Sequence, residues 1–154
     1  MSEGTPGLAA YVVDDDAAVR DSLVLLLSLR GHRAAAFASA EDFLAAVRPD
    51  WAGCAIVDIR MPGMDGLSLL KRIREGPARL PVVIVTGHGD VASAREAFRN
   101  EAVDFLEKPF DADVLLETVE AIFHRERDRI ASRREESERE RRLDALSARE
   151  REVL

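Results

Sequence analysis

Five residues suited to holding a cation or moving a phosphoryl group stand at the ends of apolar runs in this chain: Asp14, Asp15, Asp58, Thr86 and Lys108. Tyr11-Val12-Val13 precedes the first pair, Cys54-Ala55-Ile56-Val57 precedes Asp58, Val82-Val83-Ile84-Val85 precedes Thr86, and Val103-Asp104-Phe105-Leu106 precedes Glu107-Lys108. If those runs are neighbouring parallel strands, all five residues emerge at one carboxyl edge, where open α/β sheets place their ligands. Three carboxylates, a hydroxyl and an ammonium then share a pocket. Left unpaired, the carboxylates repel; a hard divalent cation such as Mg2+, which takes carboxylate and carbonyl oxygens together with water, relieves the repulsion. Beside such an ion one oxygen of Asp58 is able to attack an incoming phosphoryl group, with Lys108 as a point charge and Thr86 as a hydroxyl donor. The expected product is an aspartyl phosphate on Asp58. A plainer reading of Asp14, Asp15 or Asp16 taken singly is a helix cap; three in a row, facing another strand-end aspartate, favour the pocket.

The elements that must position these groups alternate along the chain. After the first run, Asp21 to Arg30 carries the apolar pattern of a helix with Gly31 as its stop. A short strand is predicted at 34–37, and Ser39 opens a helix that runs to Val47 before Pro49 ends it. A strand at 54–57, the loop Ile59 to Gly66, a helix from Leu67 to Arg74, a strand at 81–85, a helix from an Asp90 cap to Asn100, a strand at 103–106 and a helix capped by Asp111 complete the series. Five strands alternating with five helices predict an α/β fold, a doubly wound, mostly parallel five-stranded sheet covered on both faces.

Composition narrows the function classes. The 154 residues suffice for one buried domain and a short remainder, and no run reaches the roughly 20 apolar residues of a membrane span. No signal-like segment opens the chain, so a cytoplasmic location is expected. Cys54 is the single cysteine and lies in a strand-like run, which excludes an internal disulfide and favours a packing role. The three histidines are scattered, without zinc-ligand spacing. Gly87-His88-Gly89 lacks the spacing of a nucleotide-binding loop and suits a connection better than a catalytic His88. Residues 1–123 carry 12 Lys/Arg against 20 Asp/Glu. So acidic a body should bind nucleic acid poorly by itself.

Beyond Phe123 the apolar signal stops, and Ile130 is the single large aliphatic residue before Leu143. Glu135 with Arg139 and Glu138 with Arg142 are favourable i,i+4 pairs, so residues 124–142 are expected to form a charged helical linker. Ser147 with Glu150 matches a capping box ahead of Val153 and Leu154, which predicts a new helix, and a longer protein, beginning at 143–154.

Taken together, Val12-Val13-Asp14-Asp15-Asp16, Val57-Asp58-Ile59-Arg60-Met61-Pro62-Gly63-Met64-Asp65-Gly66, Val85-Thr86-Gly87-His88-Gly89 and Phe105-Leu106-Glu107-Lys108-Pro109-Phe110 resemble the receiver domain of two-component response regulators, and within it the FixJ type with a LuxR-type helix-turn-helix output. The resemblance covers residues 8–123. It implies a flavodoxin-like (βα)5 fold with strand order 2-1-3-4-5. It implies Asp58 as phosphoacceptor, Asp14, Asp15, Asp58 and the Arg60 backbone carbonyl as Mg2+ ligands, Thr86 and Phe105 as switch residues, Lys108 as the phosphate-binding lysine and a cis bond at Lys108-Pro109. The partners it implies are a sensor histidine kinase, a second copy of the chain in a phosphorylation-driven homodimer, and promoter DNA through a complete C-terminal domain, with no membrane partner.

Two other functions fit parts of the pattern. A Mg2+-dependent small-molecule phosphatase also uses an aspartyl nucleophile, but such sites carry a second aspartate two residues later, where this chain has Arg60. A receiver fold that only binds partners would not need the full set of acids, threonine and lysine.

Overall fold

The computed structural model describes residues 7–87 and 89–153. The elements alternate as β1 (Leu8–Val13), α1 (Ala17–Leu29), β2 (Ala34–Phe37), α2 (Ala40–Ala46), β3 (Ala52–Asp58), α3 (Gly66–Glu75), β4 (Val82–Thr86), α4 (Val91–Arg99), β5 (Asp104–Glu107) and α5 (Ala112–Val153). The five strands form one sheet in the order β2-β1-β3-β4-β5, every pairing parallel. That is the order and architecture the sequence implied. The described residues divide into two compact units between Phe123 and His124.

Parallel strands covered on both faces must be apolar on both, which is why β1, β3 and β4 are near-continuous runs of Val, Ile, Leu and Ala. Side chains alternate between the faces. Tyr11, Val13, Ala55, Val57, Val82 and Ile84 pack with Phe43 of α2, Leu69, Leu70 and Ile73 of α3 and Ala97 of α4. Their neighbours Ala10, Val12, Cys54, Ile56 and Val83 turn to the opposite face and are equally buried, as are Leu23 and Leu27 of α1 and Leu115, Val119 and Ile122 of α5. At the foot of β3, Trp51 stacks on Tyr11 with ring centroids 4.3 Å apart, and Phe43 meets both rings edge-on.

The helices start where side-chain oxygens accept the first orphan N–H groups. Asp16 caps α1, Ser39 caps α2, Asp65 caps α3 and Asp90 caps α4. One expectation is corrected. No new helix begins at Ser147: α5 is continuous from Ala112 to Val153, with Ser147 inside it. The cause is the absence of any glycine or proline after Phe110, in a stretch rich in Arg, Glu and Leu, all good helix formers. Leu154, expected in that new helix, lies outside the described residues. Every residue from 131 to 147 is exposed.

Gly53, within β3, adopts φ +131°, and a Cβ there would lie 1.9 Å from the Ala9 carbonyl oxygen on β1. Strain and backbone collision act together, so Gly53→Ala should destabilise the domain by roughly 3 kcal/mol, read as a lower urea midpoint at an unchanged slope.

Candidate functional site

The strand register brings the predicted residues to one edge of the sheet. Val13 of β1 pairs with Val57 of β3, so Asp14 and Asp58 leave their strands side by side. Asp58 in turn pairs with Val85, and Thr86 with Glu107, one residue before Lys108. Carboxylate oxygens of Asp14, Asp15 and Asp58 lie within 4.8 Å of one another. Asp14, Asp58 and Thr86 are buried, whereas Asp15 is exposed.

Lys108 enters this cluster from the end of β5. Its Nζ is 2.8 Å from Asp14 Oδ2 and 3.6 Å from Asp58 Oδ1. The backbone is pinned there too, since the Lys108 N–H donates to the Thr86 carbonyl at 2.8 Å, and Lys108-Pro109 is cis. The other Asp14 oxygen accepts the Asp16 N–H at 2.9 Å. Arg60 lies in the loop after β3 with its side chain exposed, and Phe105 lies half-buried on β5. His88 falls outside the described residues.

Two contributors were missed in the reading of the sequence. Arg20 of α1 donates from Nη1 to the Asp14 carbonyl at 2.8 Å. Glu41 of α2 accepts the Met64 N–H at 2.9 Å, tying down the loop that holds Arg60. The periodicity of α1 could have suggested Arg20, one turn beyond its cap; Glu41 resembles an ordinary first-turn acid. Met61, in the same loop, is buried and joins the core.

The electrostatics follow from this crowding. Burial raises the Asp58 carboxyl above the ordinary aspartate value, and the charges of Asp14 and Asp15 add to the rise; Lys108 opposes it without cancelling it. Burial works against the Lys108 ammonium as well, but its hydrogen bond to Asp14 and the charges of Asp14 and Asp58 outweigh that and raise its pKa. Three clustered carboxylates, with the Lys108 ammonium against two of them, leave the cleft negative. An all-oxygen donor set with excess negative charge suits Mg2+ or a similar hard cation.

Residues 10–120 match the response regulator receiver domain family. The chain belongs to that family. It is 44% identical over 144 residues to the transcriptional regulatory protein FixJ of Bradyrhizobium diazoefficiens, covering 94% of this chain and 70% of that protein. It is 46% identical over 108 residues to the C4-dicarboxylate transport transcriptional regulatory protein DctD of Pseudomonas aeruginosa, covering 70% of this chain and 23% of that one. Among solved structures, FixJ-N superposes with a TM-score of 0.70 at 39% identity over 78% of this chain and 96% of its own; the response regulator StyR gives 0.80 at 34%, over 88% and 68%.

Receiver domains are signalling domains of two-component systems, generally without metabolic activity. They bind Mg2+ at an acidic pocket and are typically phosphorylated by sensor kinases. The Asp14, Asp15 and Asp58 cluster fits that cation. No helix among the described residues is long and apolar enough to cross a membrane.

The raised Asp58 pKa has a definite sign in stability. The ionised carboxylate is less favourable in the fold than in the unfolded chain, so the penalty is absent below the ordinary value of 3.8 and complete above the raised one. Asp58→Asn should therefore raise the thermal midpoint of the Mg2+-free protein at pH 7 by about 2–4 °C. That advantage should shrink as pH falls through the raised pKa and vanish below 3.8 in melts recorded with a chelator present.

Proposed function

We propose that this protein is a phosphorylation-controlled response regulator in which Asp58 accepts a phosphoryl group from a sensor histidine kinase. The observation that carries this reading is the Lys108 ammonium lying between Asp14 and Asp58 at the mouth of a three-carboxylate cluster. One Asp58 oxygen bonds to phosphorus as the bond from phosphorus to the donor breaks. The electron pair leaves with the donor, an imidazole nitrogen of the kinase histidine, which then takes up a proton. Lys108 stabilises the charge on the phosphoryl oxygens. Asp14, Asp15, Asp58 and the backbone carbonyl of Arg60 hold Mg2+, whose chemistry when bound is to offset the negative charge around Asp58 and the incoming group. An apolar groove of about 530 Å³, lined by Val19, Leu23, Leu26, Lys108, Pro109 and Phe110, opens beside Lys108 and offers the donor protein a contact surface.

Phosphorylation adds about 1.5 to 2 negative charges and three acceptor oxygens at Asp58. Thr86 donates its hydroxyl to them, and Phe105 turns inward on β5, biasing a two-state surface formed by α4 and β5. Val91 and Phe98 of α4 and Val103 before β5 are exposed apolar side chains on that surface, which supports its use in a homodimer. Residues 1–123 form the receiver, 124–142 the charged linker, and 143–154 the start of a LuxR-type DNA-binding domain through which the longer protein controls transcription in the cytoplasm. FixJ, which this chain resembles over 144 residues, bears the name of a transcriptional regulatory protein.

With Mg2+ and acetyl phosphate, the intact mass of the wild type should rise by one phosphoryl group in a base-labile adduct; Asp58→Asn or a chelator should abolish it. Beryllofluoride should double the mass measured by light scattering. Thr86→Ala should keep the adduct yet weaken dimerisation at least tenfold, about 1.4 kcal/mol. A wild type that gains no mass, or gains it equally in Asp58→Asn, refutes the assignment.

A further inference from the structure

The four oxygens assigned to Mg2+ are not held equally well. Asp14, Asp15 and Asp58 sit at or just beyond the ends of paired strands, so the sheet register fixes their backbone. Arg60 instead lies in the loop between β3 and α3. Buried Ile59 and Met61 flank it, and the Gly66 N–H closes the loop base on the Ile59 carbonyl at 2.9 Å. Mg2+ tolerates little departure from octahedral ligand positions, so a carbonyl on a mobile loop binds it poorly. The loop side is where the donor set needs support.

That support comes from another element. Glu41, in the first turn of α2, receives the Met64 N–H on Oε2 at 2.9 Å, 23 positions along the chain. Its carboxylate lies against the backbone of Gly63, where a Cβ would come within 2.6 Å of Oε2, and Gly63 itself takes φ +77°. The absent side chain at 63 thus makes room for the carboxylate that holds residue 64. The hydrogen bond from the Met64 N–H, with one from Glu41's own N–H, lowers the Glu41 pKa, so the tether is charged across the neutral range.

We infer that Glu41 is a positioning residue: by holding the Met64 amide it sets the Arg60 carbonyl and thereby the affinity of the acidic cluster for Mg2+. The inference rests on the assignment of Asp14, Asp15, Asp58 and the Arg60 carbonyl as the Mg2+ ligands. Glu41 touches neither the ion nor the phosphoryl group, so its loss acts on binding and not on the reaction once Mg2+ saturates the site. Outer partners of metal ligands typically contribute 10-fold to 100-fold in affinity.

Calorimetric Mg2+ titration of the full chain tests this. Glu41→Ala should weaken Mg2+ binding about tenfold, while Glu41→Gln, whose amide oxygen still accepts the Met64 N–H, should stay within about threefold of wild type. Gly63→Ala should weaken it as well with Glu41 in place. In the metal-free protein, hydrogen exchange of the Met64 amide should quicken at least tenfold in Glu41→Ala, and saturating Mg2+ should restore its phosphorylation rate by acetyl phosphate to within about twofold. Wild-type Mg2+ affinity in Glu41→Ala overturns the inference, as does a rate defect that excess Mg2+ leaves untouched. A wild type that binds no Mg2+ and forms no adduct overturns the underlying site assignment instead.

Discussion

Crowding of negative charge at the carboxyl edge of the sheet organises the rest of this molecule. Asp14 and Asp58 are buried, Asp15 lies next to them, and their oxygens come within 4.8 Å. The Lys108 ammonium reaches Asp14 and Asp58. Such a cluster does not assemble because it stabilises the fold; the raised Asp58 pKa records the opposite. It persists because β1 and β3 are locked in register by six residue pairs whose apolar side chains bury on both faces. The sheet supplies the free energy that holds like charges together, and the excess negative charge suits a ligand of positive charge.

The two polar anchors flanking the cluster share a design. Arg20 binds the carbonyl of Asp14, and Glu41 binds the amide of Met64. Both grip the backbone and leave the neighbouring side-chain oxygens to other partners. One comes from the helix after β1, the other from the helix after β2, so the edge is braced from two sides. A backbone grip is also indifferent to the identity of the side chain it steadies.

Most of the site was legible because a buried parallel strand leaves a plain trace: an apolar run, then a polar residue where the chain emerges. That pattern located Asp14, Asp58, Thr86 and Lys108, and strand order followed from the resemblance those residues carry. What stayed hidden depends on contacts between distant positions. Glu41 follows a Ser cap and resembles a first-turn acid complementing the helix dipole, whereas its partner lies 23 residues on. The strained φ of Gly53 answers to β1, which no window around residue 53 contains. Ser147 misled in the opposite way. A local capping pattern was present, but nothing before it broke the helix, and a cap needs a non-helical residue to act.

The aromatic stack at the foot of β3 has a practical corollary. Trp51 and Tyr11 are the chain's single indole and single phenol, and they lie face to face. The indole also lies 6.1 Å from the ring of Phe37 on β2, whose register partner Val13 immediately precedes Asp14. Ultraviolet emission from this protein therefore originates almost wholly where β1, β2 and α2 pack together. It serves as a gauge of whether the β2 edge is intact.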